Sequence, residues 1–277
     1  MAMGLAAALA ANTGCFINID DDANAFSRVN TVVETRTVAL PHIANTPLDI
    51  RTENGAVKVT KGEVDGVVVI AKLRARSMER LEKMHVKAER IEDGALRVRV
   101  EWPEGGRKGS EGCSFDIQTP GALTTSIHSS NGEITLEDLS GGAILWTSNA
   151  AICVRRHNGF VTAESSNGDI ALRGVGGAKA DTSNGHILIA LAADAAGPVN
   201  ADTSNGSITL EVGPGFRGEV GADSSNGRVQ NHVKRALAVG KPERARGVWQ
   251  LGEAADREKS VLRSSNGPIT IEEGSAK

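Results

Sequence analysis

Three carboxylates recur at one offset. Asp181, Asp202 and Asp223 each stand three residues before an Asn-Gly pair, at Asn184, Asn205 and Asn226. If those corners stack as coils, the three side chains align about 4.8 Å apart. Like charges at that spacing raise one another's pKa or recruit a cation. Such a row reads as a Ca²⁺ site, or as carboxylates placed for general acid and base work on a polysaccharide. The plainer reading is a solvated outer face. Residues at the same offset elsewhere, His128, Arg155, Glu164 and Arg263, are mixed in charge, which favours it.

Other chemistry is sparse. Cys15, Cys113 and Cys153 show neither a CxxC pair nor metal-ligand spacing. Cys113 and Cys153 read as buried free thiols, with a disulfide outside the cytosol as the alternative. The six histidines lack ligand spacing; His157 and His186, beside turns, read as solvated polar residues. No nucleophile elbow, P-loop, GxGxxG or HExxH is present. No catalytic residue and no cofactor are therefore expected. With 31 Lys+Arg against 34 Asp+Glu, 3% aromatics and no tyrosine, the chain lacks the basic stacking surface of a nucleic-acid binder.

Met3 to Ala11 is an apolar run too short to span a bilayer, and it fits the core of a secretory signal. Ala8-Leu9-Ala10 offers one cleavage site. Thr13-Gly14-Cys15 instead resembles the end of a lipobox, which would make Cys15 the lipidated first residue of the mature chain. Asn12 stands where a lipobox has Leu, and a basic leading segment is missing. Residues 1–27 thus read as leader and acidic tether. They imply export to the cell envelope or outer surface, with membrane contact only through a lipid on Cys15. A disordered cytosolic terminus is the alternative.

What must position any of these groups is a repeat. Asn-Gly occurs at Asn54-Gly55, Asn131-Gly132, Asn158-Gly159, Asn167-Gly168, Asn184-Gly185, Asn205-Gly206, Asn226-Gly227 and Asn266-Gly267, with a degenerate copy at Asn149-Ala150. Three residues after each asparagine stands a β-branched aliphatic: Val57, Ile134, Ile152, Val161, Ile170, Ile187, Ile208, Val229 and Ile269. Asn and Gly tolerate positive φ, so each pair marks a tight turn, and a preceding Ser or Thr can bond the turn backbone. Alternation after the turn, as in Ile208 and Leu210, gives strands with one buried face, and Ala180, Ala201 and Ala222 mark the buried side before it.

From Asn131 to Asn226 the corners are 18, 18, 17, 21 and 21 residues apart, with second breakers midway, such as Gly141-Gly142 and Gly197-Pro198. Two layouts fit: an antiparallel meander with a hairpin at each Asn-Gly, or a β-solenoid in which Ile134, Ile152, Ile170, Ile187, Ile208 and Val229 form one internal ladder. Near-identical corners favour stacking, because stacked asparagines form ladders. The fold class expected is all-β: a single-chain β-solenoid of about six coils over 121–277, preceded by a β-rich segment over 28–120. That segment carries one short helix from Ser77, with Arg80, Glu82 and Lys83 exposed, a hairpin about Asp93-Gly94, and a polar loop from Glu104 to Glu111. The period breaks at about 230–260, a polar insertion containing Trp249 that reads as a cap on the last coil or as a binding loop.

The segment SFDIQTPGALTTSIHSSNGEITL, the serial SNG-x-I units and the closing GVWQLGEAADREKSVLRSSNGPITI resemble the bacterial domain-of-unknown-function family labelled "putative adhesin", from about Arg28 to Glu273. The resemblance implies an exported or envelope-anchored β-strand repeat protein and carries over no catalytic residue. Ala150, where the motif has Gly, departs from it. Three functions follow: a surface binding or scaffold protein whose partner is an envelope protein or glycan, an envelope-stress or regulatory sensor acting through a protein partner, and a carbohydrate-active protein.

Overall fold

Period-two patterning between corners yields strands throughout. The computed structural model describes residues 31–41, 46–91, 94–195, 197–252 and 258–274. Cys15 and Asp93 lie outside them. The first segment holds β1 (Val32–Pro41), β2 (Leu48–Arg51), β3 (Val57–Lys61), β4 (Gly66–Ala75), α1 (Met78–Glu82), β5 (His85–Arg90), β6 (Leu96–Glu101) and β7 (Gly112–Thr119). The repeats follow as β8 (Thr124–His128), β9 (Ile134–Glu137), β10 (Gly142–Thr147), β11 (Ile152–Ser165), β12 (Ile170–Thr182), β13 (Ile187–Leu191), β14 (Val199–Thr203), β15 (Ile208–Val212), β16 (Gly218–Ser224) and β17 (Val229–Asn231). Last come β18 (Ala236–Ala238), β19 (Arg246–Leu251), β20 (Ser260–Ser264) and β21 (Ile269–Glu273).

The strands flanking each corner pair with equivalent strands of neighbouring coils. Ladder A runs β5, β6, β2, β8, β10, the second half of β11, the second half of β12, β14, β20, β16, β19, β18. Ladder B runs β1, β4, β7, β3, β9, the first half of β11, the first half of β12, β13, β15, β21, β17. Pairing is parallel except at the ends, where β5–β6, β16–β19, β18–β19, β1–β4 and β4–β7 are antiparallel. The hairpin layout is therefore not the one that forms.

The inner faces of both ladders share one core. On ladder B it contains the line Val57, Ile134, Ile152, Ile170, Ile187, Ile208, Ile269, Val229, every neighbour in register. Each such side chain removed from water contributes about 1.5–3 kcal/mol. Ladder A opposes it with a row of mixed size, Ile50, Ile127, Leu145 and Leu262 as well as Ala180, Ala201 and Ala222. Two expectations about this line need correction. It begins at Val57, before the expected repeat domain, and Ile269 sits between Ile208 and Val229, so order in space departs from order in sequence. Asn158 also belongs elsewhere. It lies within β11 at the opposite corner, bridging to Ser140, so neither Val161 nor Arg155 occupies the positions equivalent to Ile170 and Glu164.

Both ends are covered. Helix α1 is capped by Ser77, whose hydroxyl accepts from the Arg80 amide. Arg80 itself is half-buried, not exposed as expected, because it forms a double hydrogen bond to the carboxylate of Glu111. At the far end β19 lies along β16, and Trp249 within it is buried, so the insertion caps the stack. Among the described residues no helix is long and apolar enough to cross a membrane.

Candidate functional site

The corners form two parallel rows of hydrogen bonds. In the outer row each asparagine Nδ2 donates to Oδ1 of the next coil's asparagine: Asn131 to Asn54, Asn149 to Asn131, Asn167 to Asn149, Asn184 to Asn167, Asn205 to Asn184, Asn266 to Asn205 and Asn226 to Asn266, at 2.6–2.8 Å. Asn54 ends the row by donating to the carbonyls of Gly109 and Glu111, so the expected polar loop serves as a cap. The inner row is buried. Thr203 Oγ1 accepts from the amide of Gly206 and donates to the Gly185 carbonyl of the adjacent coil. Ser129, Ser165, Thr182, Ser224 and Ser264 do the same.

Glycine is present for a different reason from the one expected. None of Gly132, Gly168, Gly185, Gly206, Gly227 and Gly267 has a left-handed φ. A β-carbon on Gly185 would instead lie 2.0 Å from the Gly168 carbonyl oxygen, and one on Gly206 1.8 Å from that of Gly185. Close stacking of backbone requires the missing side chain.

The aspartates lie on the outward side of ladder A, in a column reading Arg99, Arg51, His128, Trp146, Glu164, Asp181, Asp202, Arg263, Asp223, Arg246. Asp181 and Asp202 are neighbours, as expected. Asp223 is not next in line: Arg263 stands between it and Asp202, and Asp223 is bonded to Arg246. Among the described residues no three His, Cys, Asp or Glu side chains come together to hold a metal. Burial and the Asp181 charge push the Asp202 carboxyl above the usual range, with Arg263 opposing them. Around this pair lies a surface hollow of about 260 Å³, lined by Lys179, Asp181, Asn200, Asp202, Val261 and Arg263.

Two rungs away the same face is apolar. Ile144 is 54% exposed and Phe160 42% exposed, on adjacent strands, with Leu123 exposed at the edge. Trp146, two residues from Ile144, stacks on His128 with ring centroids 4.1 Å apart and planes within 16°. Burial and the Arg51 charge lower the pKa of His128. This cluster is the residue set that the sequence reading missed. The signal was present. The offset that singles out Asp181, three residues before the corner, also selects Trp146, and five residues before selects Ile144 and Lys179.

Charge is divided about the cluster. Toward β6, Arg51 and Arg97 meet Asp49 while Arg99 meets Glu101 and the Glu89 of β5; toward β14, Glu164, Asp181 and Asp202 meet one lysine, Lys179. Asp49 is bonded to both Arg51 and Arg97, at 3.1 and 2.7 Å. In the Trp146 column, Arg51 and Asp181 thus stand at equal distances on opposite sides of the cluster.

The buried polar groups are structural. His157, expected to be solvated, is 0% exposed; its Nε2 meets the Gly141 carbonyl at 3.0 Å and Nδ1 has no hydrogen-bond partner. Burial lowers its pKa. His186 is exposed, with Nδ1 2.9 Å from Ser207 Oγ. Cys113 and Cys153 are buried thiols not joined in a disulfide with each other, and burial drives the Cys113 thiol pKa upward.

No protein-family model matches the chain, and no curated protein does. Solved structures similar to it include a "putative cell adhesion protein" from Clostridium sporogenes, at 12% identity over 88% of this chain and 100% of that one, with a TM-score of 0.39. Others are a "putative adhesin" from Bacteroides fragilis (13% identity, 86% and 97% covered, TM-score 0.46) and another from Parabacteroides merdae (12% identity, 87% and 96% covered, TM-score 0.33).

Proposed function

We propose that the chain is an exported β-solenoid of the cell envelope that binds a partner through the outward face of ladder A and performs no catalysis. The observation that carries this reading is the pair of exposed side chains Ile144 and Phe160, with half-buried Trp146 beside Ile144, on a face built on stacked corners. Contiguous exposed apolar surface marks an interaction site on a soluble domain, and tryptophan is prominent among residues that dominate binding energy. The leader-like residues 1–27 and Cys15 supply the anchor, and the serial corner motif shared with the adhesin-labelled family agrees with that placement.

The test is fractionation and protease shaving of intact cells expressing the wild type, Cys15→Ala and Ile144→Asp. The wild type is expected to be membrane-held and shaved, and Cys15→Ala to be released. Purified Cys15→Ala chain should rebind isolated envelopes, and Ile144→Asp added to it should abolish rebinding. Cytosolic wild type, or rebinding indifferent to Ile144→Asp, contradicts the proposal.

A further inference from the structure

The outward face of ladder A carries opposite charges at three matched pairs of positions about β10, while Arg97 is matched by uncharged Asn200. Counting rungs from Ile144 and Trp146, Arg51 is two rungs to one side and Asp181 two rungs to the other. In the neighbouring column Asp49 and Lys179 hold the same two positions with the signs exchanged. Three rungs out stand Arg99 and Asp202. One rung out, in the second column, are the matched hydroxyls of Ser126 and Thr162.

Resting on the reading of this face as a binding surface, we infer that its partner is a second copy of the chain, packed face to face about a two-fold axis along β10. Such an axis reverses the ladder direction and keeps the columns. Ile144 then meets Ile144. Arg51 of each copy faces Asp181 of the other, Asp49 faces Lys179 and Arg99 faces Asp202. The hollow between Asp181 and Asp202 lies where the other copy's guanidinium groups arrive. Isologous contact of this kind needs one self-complementary patch, and an apolar centre with opposite charges at equal distances on its two sides supplies it. A neutral glycan would engage the apolar centre but not the opposite charges set at equal distances on its two sides. Seven rungs of about 4.8 Å and five residues of about 3.3 Å outline a face roughly 30 by 17 Å, which suits weak, concentration-dependent association.

The experiment is sedimentation velocity on the full chain carrying Cys15→Ala, from about 1 to about 100 μM, the range in which a small face associates. Dimer is expected for this chain and monomer for added Ile144→Asp. Arg51→Asp and Asp181→Arg should each weaken association by about tenfold or more, because like charges then face each other twice. An equimolar mixture of those two variants should associate again, since each brings the charge the other lacks. Within one copy the two sites are four rungs, about 19 Å, apart, well beyond a screening length of about 8 Å, so restoration cannot arise inside a monomer. Monomer throughout, a dimer unaffected by these substitutions, or a mixture that stays dissociated overturns the inference. If the chain is monomeric while Ile144→Asp still abolishes envelope rebinding, the binding face stands and the second copy is not its occupant.

Discussion

Thr203 shows what one buried hydroxyl does in this molecule. It satisfies a donor in its own corner and an acceptor in the next, 3.2 and 3.0 Å away. Thr203→Val keeps the shape and leaves the Gly206 amide and Gly185 carbonyl without their partner. A destabilisation of about 1–3 kcal/mol is expected, measured as a shift in the urea midpoint at unchanged slope. The same bond occupies the amide nitrogen that must attack the Asn205 side chain during deamidation, so Asn205 should deamidate slowly in the native protein and faster in Thr203→Val, read by peptide mass after incubation at mildly alkaline pH. His157 sets a pH dependence. Its folded pKa lies below the unfolded value of about 6.5, so the unfolded chain takes up the proton first. Its contribution is present above about pH 6.5 and is lost as pH falls from there toward the depressed folded value. Urea midpoints at pH 7.5 and 5.5 should differ in the wild type, and His157→Leu should shrink that difference.

At the scale of elements, the local rule was legible and the long-range order was not. Alternation on the two sides of each corner places Ile187 and Ile208 inside and Asp181 and Asp202 outside, because a strand's side-chain period is two whatever it pairs with. The helix start at Ser77 was legible from its cap. Three things were not. Gly185 reads as a residue chosen for its φ, and only the stacked Gly168 carbonyl shows that it is chosen for space. Glu111 reads as part of a polar loop, and only the packed fold shows it buried against Arg80. The place of β20 and β21, between β14–β15 and β16–β17, is invisible to any local pattern, since every coil carries the same corner and could accept either neighbour. The choice is made by the cap: β16 has one parallel neighbour, β20, and gives its other edge to β19.

At the scale of the whole molecule, stacking in register turns an offset from a corner into an address on the surface. The column through Trp146 and Asp202, the division of charge about Ile144 and the proposed contact between copies all depend on it. Cysteine pairs test that register and the order of coils directly. Parallel neighbours lie about 4.8 Å apart, within disulfide reach, whereas two rungs, about 10 Å, are not. Asp202→Cys with Arg263→Cys should oxidise to an intramolecular disulfide in the native protein, detected by mass and by mobility on a non-reducing gel. Asp202→Cys with Asp223→Cys, separated by the β20 rung, should stay reduced under the same conditions. If instead the 202–223 pair closes and the 202–263 pair does not, the coils follow sequence order and the surface map built on them is wrong.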